Sequence, residues 1–490
     1  MRILLLALAA GAFCGWDSLR PARAAAQLAV PGRAEWVDFL GRSHPVRHAR
    51  VQLIDEASGL QIGPSTTTDG AGRYELVVPA LPQPADVWVQ VQSWSSAADL
   101  RDATVDQPYY LISPTLHAAA GSVRLPDVEV RGRPTQYANH AFSVLAALEY
   151  GREYVLQATG IEMPRLAVNF QAVATVYDEH ELPASASEGA QDCRPATVAG
   201  DPVRRTCRLD VVFEDRWDWD VVLHEYGHFV SKAFGFDHNP QAEHDPGRSL
   251  AVTLGKRLGI EVAWAEGWAT WFAIAAQAND AVRGEQFPGA GDSTYVDTDD
   301  VRLVLPLYSQ SEYPSRGEDN EGTVARVLYD LADGADANGY DAVAMGDREV
   351  WTLLRQGTQP PQTLWAVWGR FANRAWPERA RMARIFAEHR AAPLLQSPLD
   401  DESLQGSPPL FTWKANGGGM PHDRFTVEFL DPNGVLIDSA QVQEPSYRPT
   451  GEVWARIRAS GSPVYWTVEG RNTSMPVTGP YMGTVHRLRQ

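Results

Sequence analysis

The stretch Asp220-Val221-Val222-Leu223-His224-Glu225-Tyr226-Gly227-His228 carries two histidines four residues apart, with a glutamate directly after the first. On a helix, four residues turn the chain by about 400°, so both imidazoles leave one face roughly 6 Å apart along the axis. Two nitrogens so spaced can share one tetrahedral zinc ion. Glu225, beside the first histidine, is placed to act on a zinc-bound water as general base without being a ligand. The flanks favour a helix. Asp218 is a candidate N-cap and Asp220 a first-turn acid that suits the helix dipole. Val221, Val222, Leu223, Phe229 and Val230 supply an apolar surface. Gly227 costs about 1 kcal/mol against Ala in a helix. It also removes a side chain beside the metal, leaving room for a substrate or a strand.

Two histidines leave a third ligand to be found. A metzincin-type site needs Gly three residues and His six residues after His228, but Ser231 and Phe234 stand there. Glu243 and His244 are rivals that spacing alone does not exclude, in a polar, turn-rich segment read as a mobile surface loop. Further on, Glu261 to Ala278 reads as a largely apolar helix with Glu266 at its middle. A carboxylate buried there unpaired would cost several kcal/mol, and a metal on the neighbouring helix is the obvious partner. Catalytic zinc held by two His and one Glu has precedent. Tyr308, Tyr313, Tyr329 and His422 are open as donors to an oxyanion.

Asp220 to His228 and Ala265-Glu266-Gly267-Trp268-Ala269-Thr270 together resemble a gluzincin metallopeptidase of the thermolysin-like and fungalysin-like kind. The resemblance covers roughly Asp220 to Phe272. It implies zinc held by His224, His228 and Glu266, with Glu225 catalytic, acting on peptide bonds of a protein or peptide substrate. Such families carry Asp four residues after the ligand glutamate, orienting a zinc histidine. Here Thr270 takes that place. Downstream, Asn320 and Glu321 read as a cap and a helix-start acid, with Glu321 as a candidate for the cleft wall.

Around this core the chain of 490 residues divides by texture. Residues 1–26 read as a secretory leader: Arg2, the apolar run Ile3 to Phe13, then Ala24, Ala25 and Ala26. The protein is then secreted or periplasmic. Cys193 and Cys207, an even pair outside the leader, read as a disulfide. Residues 27–131 show short strands, such as Tyr74 to Val78 and Val87 to Val91, between turn residues. Thr68-Asp69-Gly70-Ala71-Gly72-Arg73-Tyr74 resembles the turn of carboxypeptidase regulatory-like domains, which implies a transthyretin-like sandwich. Residues 132–397 are the mainly helical part, with a helix at Tyr137 to Gln157. Trp365 to Ala391 reads as helix with a break at Pro377. Residues 398–490 return to strands, with a hairpin at Phe425 to Ile437, and resemble a fibronectin type III-like sandwich. The expected fold class is multidomain: an α+β zincin-like core, mainly helical, between two all-β sandwiches. A formal net charge of -18 argues against nucleic acid as a partner. No later apolar run is long enough for an integral membrane segment. The rival to an enzyme is a degenerate zincin serving as an extracellular binding module.

Overall fold

The computed structural model describes residues 26–133, 137–171, 176–177, 183–184, 186–189, 207–236, 242–278, 282–298, 303–310, 313–334, 342–357, 361–371, 373–403, 406–461 and 463–489. The leader and the Cys193–Cys207 pairing fall outside them.

Two sheets open the chain. The strand Gln27–Val37 pairs with Ser43–Pro45, Arg73–Pro79 and Val128–Arg131. The second sheet is built on Arg50–Asp55 and Ala85–Gln92. Alternation sets the faces: along Arg73–Pro79, Tyr74, Leu76 and Val78 are buried and their neighbours exposed. In the turn before it, the Asp69 carboxylate accepts from the backbone N–H of Ala71 and Arg73. Gly72 there has φ 75°, and a Cβ would lie 2.5 Å from the Ala34 carbonyl, so only glycine fits.

These two sheets are not a self-contained sandwich. The strands Ala98–Asp102 and Gln107–Pro108 leave them for a third sheet, where Ala98–Asp102 pairs parallel with Leu166–Phe170. Leu166–Phe170 pairs parallel with Cys207–Val211, and Ala186–Gly189 closes the order as the outer antiparallel strand. The sheet therefore crosses the boundary drawn at residue 131. The reason is packing. Ala98 and Leu100 are fully buried and belong to one apolar core that runs from Leu28 to Ala392 and takes in Tyr481 and Met482 as well.

Nine helices follow among the described residues: α1 Tyr137–Thr159, α2 Trp219–Phe234, α3 Leu250–Leu254, α4 Lys256–Gln277, α5 Glu321–Ala332, α6 Asp347–Arg355, α7 Leu364–Gly369, α8 Trp376–Glu388 and α9 Gly451–Ala459. α4 is the central one. It is buried on nearly every face and packs against α1, α2, α3 and α5. Where one interrupted helix was expected at 365–391, two form. Pro377 sits in the first turn of α8, so it starts that helix instead of breaking one.

The C-terminal part holds the expected hairpin, Arg424–Leu430 against Leu436–Val442, within a six-stranded sheet beside a three-stranded one. It is not all-β. α9 lies against Leu436–Val442, and its Trp454 and Ile457 fill a separate apolar core with Phe411, Phe429 and Trp466.

Candidate metal centre

α2 starts where its sequence says it should. The Asp218 side chain accepts from the Val221 N–H as N-cap, and Gly235, at φ 75°, ends the helix. Two buried carboxylates also tie this end down. Asp218 accepts from the Thr298 N–H at 2.8 Å. Asp220 accepts from the Val296 N–H at 2.9 Å and from the Gln277 amide at 2.7 Å. The start of α2 is thus fastened both to the strand Thr294–Asp297 and to the end of α4. Burial raises the Asp218 carboxyl to about 7 and raises that of Asp220 as well.

Gly227 serves a different neighbour than expected. A Cβ there would lie 3.2 Å from the Ala269 Cα and from the Phe272 ring, so α4 occupies the space. This close approach brings the middle of α4 to the two histidines. Nε2 of His224 and of His228 lie 3.2 Å apart, and each is 3.1 and 3.0 Å, respectively, from Oε2 of Glu266. All three residues are buried. Two ring nitrogens and one carboxylate oxygen facing one another in so dry a place call for a cation between them. The mutual distances are close to the roughly 3.3 Å edge of a tetrahedron with ligands about 2 Å from its centre. The donor set, two imidazoles and a carboxylate, suits zinc. Burial pushes the Glu266 carboxyl up. The charges of His228 and His244, with hydrogen bonds from His224 and His228, outweigh it and hold the group well below the usual range.

Glu225 is the one residue between Trp219 and Ser231 that is not buried. On the closed side, the Thr270 hydroxyl lies 3.2 Å from Nδ1 of His224. With Nε2 turned to a metal, Nδ1 carries the proton and the hydroxyl accepts it.

Two residues meet the triad by routes that spacing did not reveal. The Tyr295 ring, on Thr294–Asp297, packs 5.6 Å from that of His224. His244 reaches in from the segment after α2. Its Nδ1 is 2.8 Å from Oε2 of Glu321, the first residue of α5, and its Nε2 is 3.7 Å from Oε2 of Glu266. Solvent reaches 39% of the His244 side chain, yet protein crowds it enough that burial is the largest influence on its pKa, acting downward. The carboxylates of Glu266 and Glu321 overcome this and raise it. Among its described residues, the segment is tied to the start of α5. Asn320 caps α5 and donates its side-chain amide to the carbonyls of Pro246 and Arg248 at 2.7 and 2.8 Å. Of the donors expected from sequence, Tyr308 is exposed and the Tyr313 ring lies by Gly247. His422 is buried against Tyr481 in the C-terminal part.

His224 and His228 on α2 and Glu266 on α4 thus form a group that could hold a metal ion, with Glu225 next to it in sequence. Residues 204–363 match the family described as Mycolysin C-terminal domain. That segment is about a third of the chain and contains every residue of the centre. The match supports a thermolysin-like metallopeptidase context for it. No curated protein matches the chain. Among the described residues no helix is long and apolar enough to cross a membrane.

Proposed function

We propose that the protein is an exported zinc metallopeptidase of gluzincin type, cleaving peptide bonds of protein or peptide substrates. The observation that carries this is the convergence of His224, His228 and Glu266 beside an accessible Glu225. His224, His228 and Glu266 would hold the ion. When bound, zinc supplies Lewis acidity to the scissile carbonyl and lowers the pKa of water. Glu225 takes a proton from the attacking water at a carboxylate oxygen and passes it to the leaving amine nitrogen. Thr270 keeps the His224 ring in the tautomer that offers Nε2. The outer strand Ala186–Gly189 runs along α2 and offers an edge on which an extended substrate can pair. The leader read in residues 1–26 supports export.

The test is a pair of variants with two readouts. Glu225→Gln is expected to keep one zinc per chain and lose cleavage of an unfolded protein. Glu266→Ala is expected to lose the metal. An active Glu225→Gln would defeat the mechanism. An inactive wild type that still holds zinc would favour the binding-module reading.

A further inference from the structure

Lysine is rare in this chain: Lys232, Lys256 and Lys414 are three among 43 basic residues. Lys256, the first residue of α4, is the buried one, at 7% exposure. Its Nζ donates to the side-chain oxygen of Asn472 at 2.9 Å and to the Ser474 carbonyl at 3.0 Å. Among the described residues it has no third acceptor and no carboxylate in ion-pair range. Two acceptors match the two N–H bonds of a neutral amine. An ammonium would bring a third, and a charge that burial opposes. Burial accordingly pulls the Lys256 pKa down. Where the fold buries a permanent cation it uses arginine, as at Arg326.

Asn472 ends the strand Val464–Asn472 of the C-terminal part, 216 residues from Lys256. Its carboxamide is held on both sides. The oxygen also accepts from the Ser474 N–H at 3.0 Å and from the Ser474 hydroxyl. The nitrogen donates to the carbonyls of Met420 and Pro421 at 3.2 and 2.7 Å. Three donors on one carbonyl oxygen draw electrons from Cγ and steady the negative oxygen of a tetrahedral intermediate. With a C=O bond of about 1.2 Å, Nζ lies within about 4 Å of Cγ, against about 3–3.5 Å for attack. A carboxyl group stands by. Glu318, 2% exposed, accepts from the Tyr481 hydroxyl, and Tyr481 faces Gly470, two residues before Asn472, across the strand pair. Burial raises the Glu318 carboxyl and so favours its protonated form.

We propose that Lys256 and Asn472 join in an intramolecular isopeptide bond that links the C-terminal part covalently to α4. The neutral Nζ attacks Cγ; the Nζ–Cγ bond forms and the Cγ–Nδ2 bond breaks. The amide nitrogen leaves as ammonia, taking one proton from the Glu318 carboxyl, which recovers one from Nζ. The step needs no oxidant and no second chain. Holding amine and carboxamide together supplies the rate that the two groups lack when free in water.

The test is a tryptic peptide map of the purified full chain, read by mass spectrometry. In wild type, trypsin should fail to cut after Lys256. It should release one branched peptide, lighter by one ammonia than its two arms together, with fragment ions placing the junction at Lys256 and Asn472. Lys256→Arg keeps a donor that cannot form an amide, and Asn472→Ala removes the carboxamide; both should give linear peptides only. Glu318→Gln should form the branched peptide about 100-fold more slowly after refolding, as loss of a proton carrier does. Linear peptides alone from wild type would overturn the proposal, whether or not the variants fold. Branching in Glu318→Gln at the wild-type rate would overturn the role given to Glu318.

Discussion

At the residue scale, the centre divides into what local spacing encodes and what only the fold can bring. His224, Glu225 and His228 are legible because one helical turn sets their geometry. Glu266 is legible because a carboxylate on so apolar a helix demands a partner, and the structure gives it two imidazoles. Thr270 is also where its spacing puts it, against Nδ1 of His224. Removing that hydroxyl leaves the ring N–H without its acceptor. Thr270→Val should therefore weaken zinc binding about tenfold, read by competition with a chromogenic chelator. Unchanged affinity would mean the hydroxyl does not steady the ligand. The His244–Glu321 pair could not be read in this way. It depends on where a turn after α2 is pinned by the start of α5, and neither residue carries a periodic signal. Tyr295 was missed for the same reason: its strand is docked by Asp218 and Asp220 through backbone N–H groups, which any residue possesses.

At the element scale, two glycines on α2 and α4 bring the helices to working distance. Gly227 lets α4 close on α2. Gly267, next to the candidate ligand Glu266, lets α5 close on α4. A Cβ there would lie 2.4 Å from the Glu321 carbonyl and 2.6 Å from the Val324 side chain. Gly267→Ala must push α5 back, at about 1–3 kcal/mol for overpacking. A lower Tm is expected, together with a reduced kcat, because Glu321 rides on the displaced end. A Tm equal to wild type would show that α5 yields freely. The positions of the long helices were readable from apolar periodicity, as α1 and α4 show. Sheet membership was not. Ala98–Asp102 has the texture of the strands before it, and nothing in five residues says which sheet they join. α9 was missed because the strands on either side dominate a short amphipathic run.

At the scale of the whole molecule, the C-terminal part is fastened to the helical core through buried polar groups. Tyr481 donates its hydroxyl to Glu318 at 2.7 Å, and Nζ of Lys256, at the start of α4, donates to the Asn472 side chain at 2.9 Å. His422 lies in this seam, stacked on Tyr481. Burial lowers its pKa to about 4. The unfolded chain takes up that proton near about 6.5. Between those values the unfolded state binds more protons, so the contribution is complete above about 6.5 and is lost as pH falls towards 4. His140, also lowered to about 4 by burial, acts in the same direction. Asp218, raised by burial, opposes them. The informative quantity is therefore a difference between proteins. His422→Leu should have a Tm that falls less steeply than that of wild type from pH 7 to pH 4. Parallel Tm profiles would remove His422 from the acid response.

The strand Ala98–Asp102 also bears on how the chain comes to be folded. It is synthesised long before its parallel partner Leu166–Phe170, with all of α1 between them. Long-range parallel pairing closes slowly. Until the partner emerges, the strand has one bare edge, the other being partly covered by Gln107–Pro108, and a bare edge is a template for pairing with other chains. A chain ended at residue 131 would keep that edge bare for good. It should aggregate instead of forming a stable module, and a cut at that point in the finished protein would not release the first two sheets.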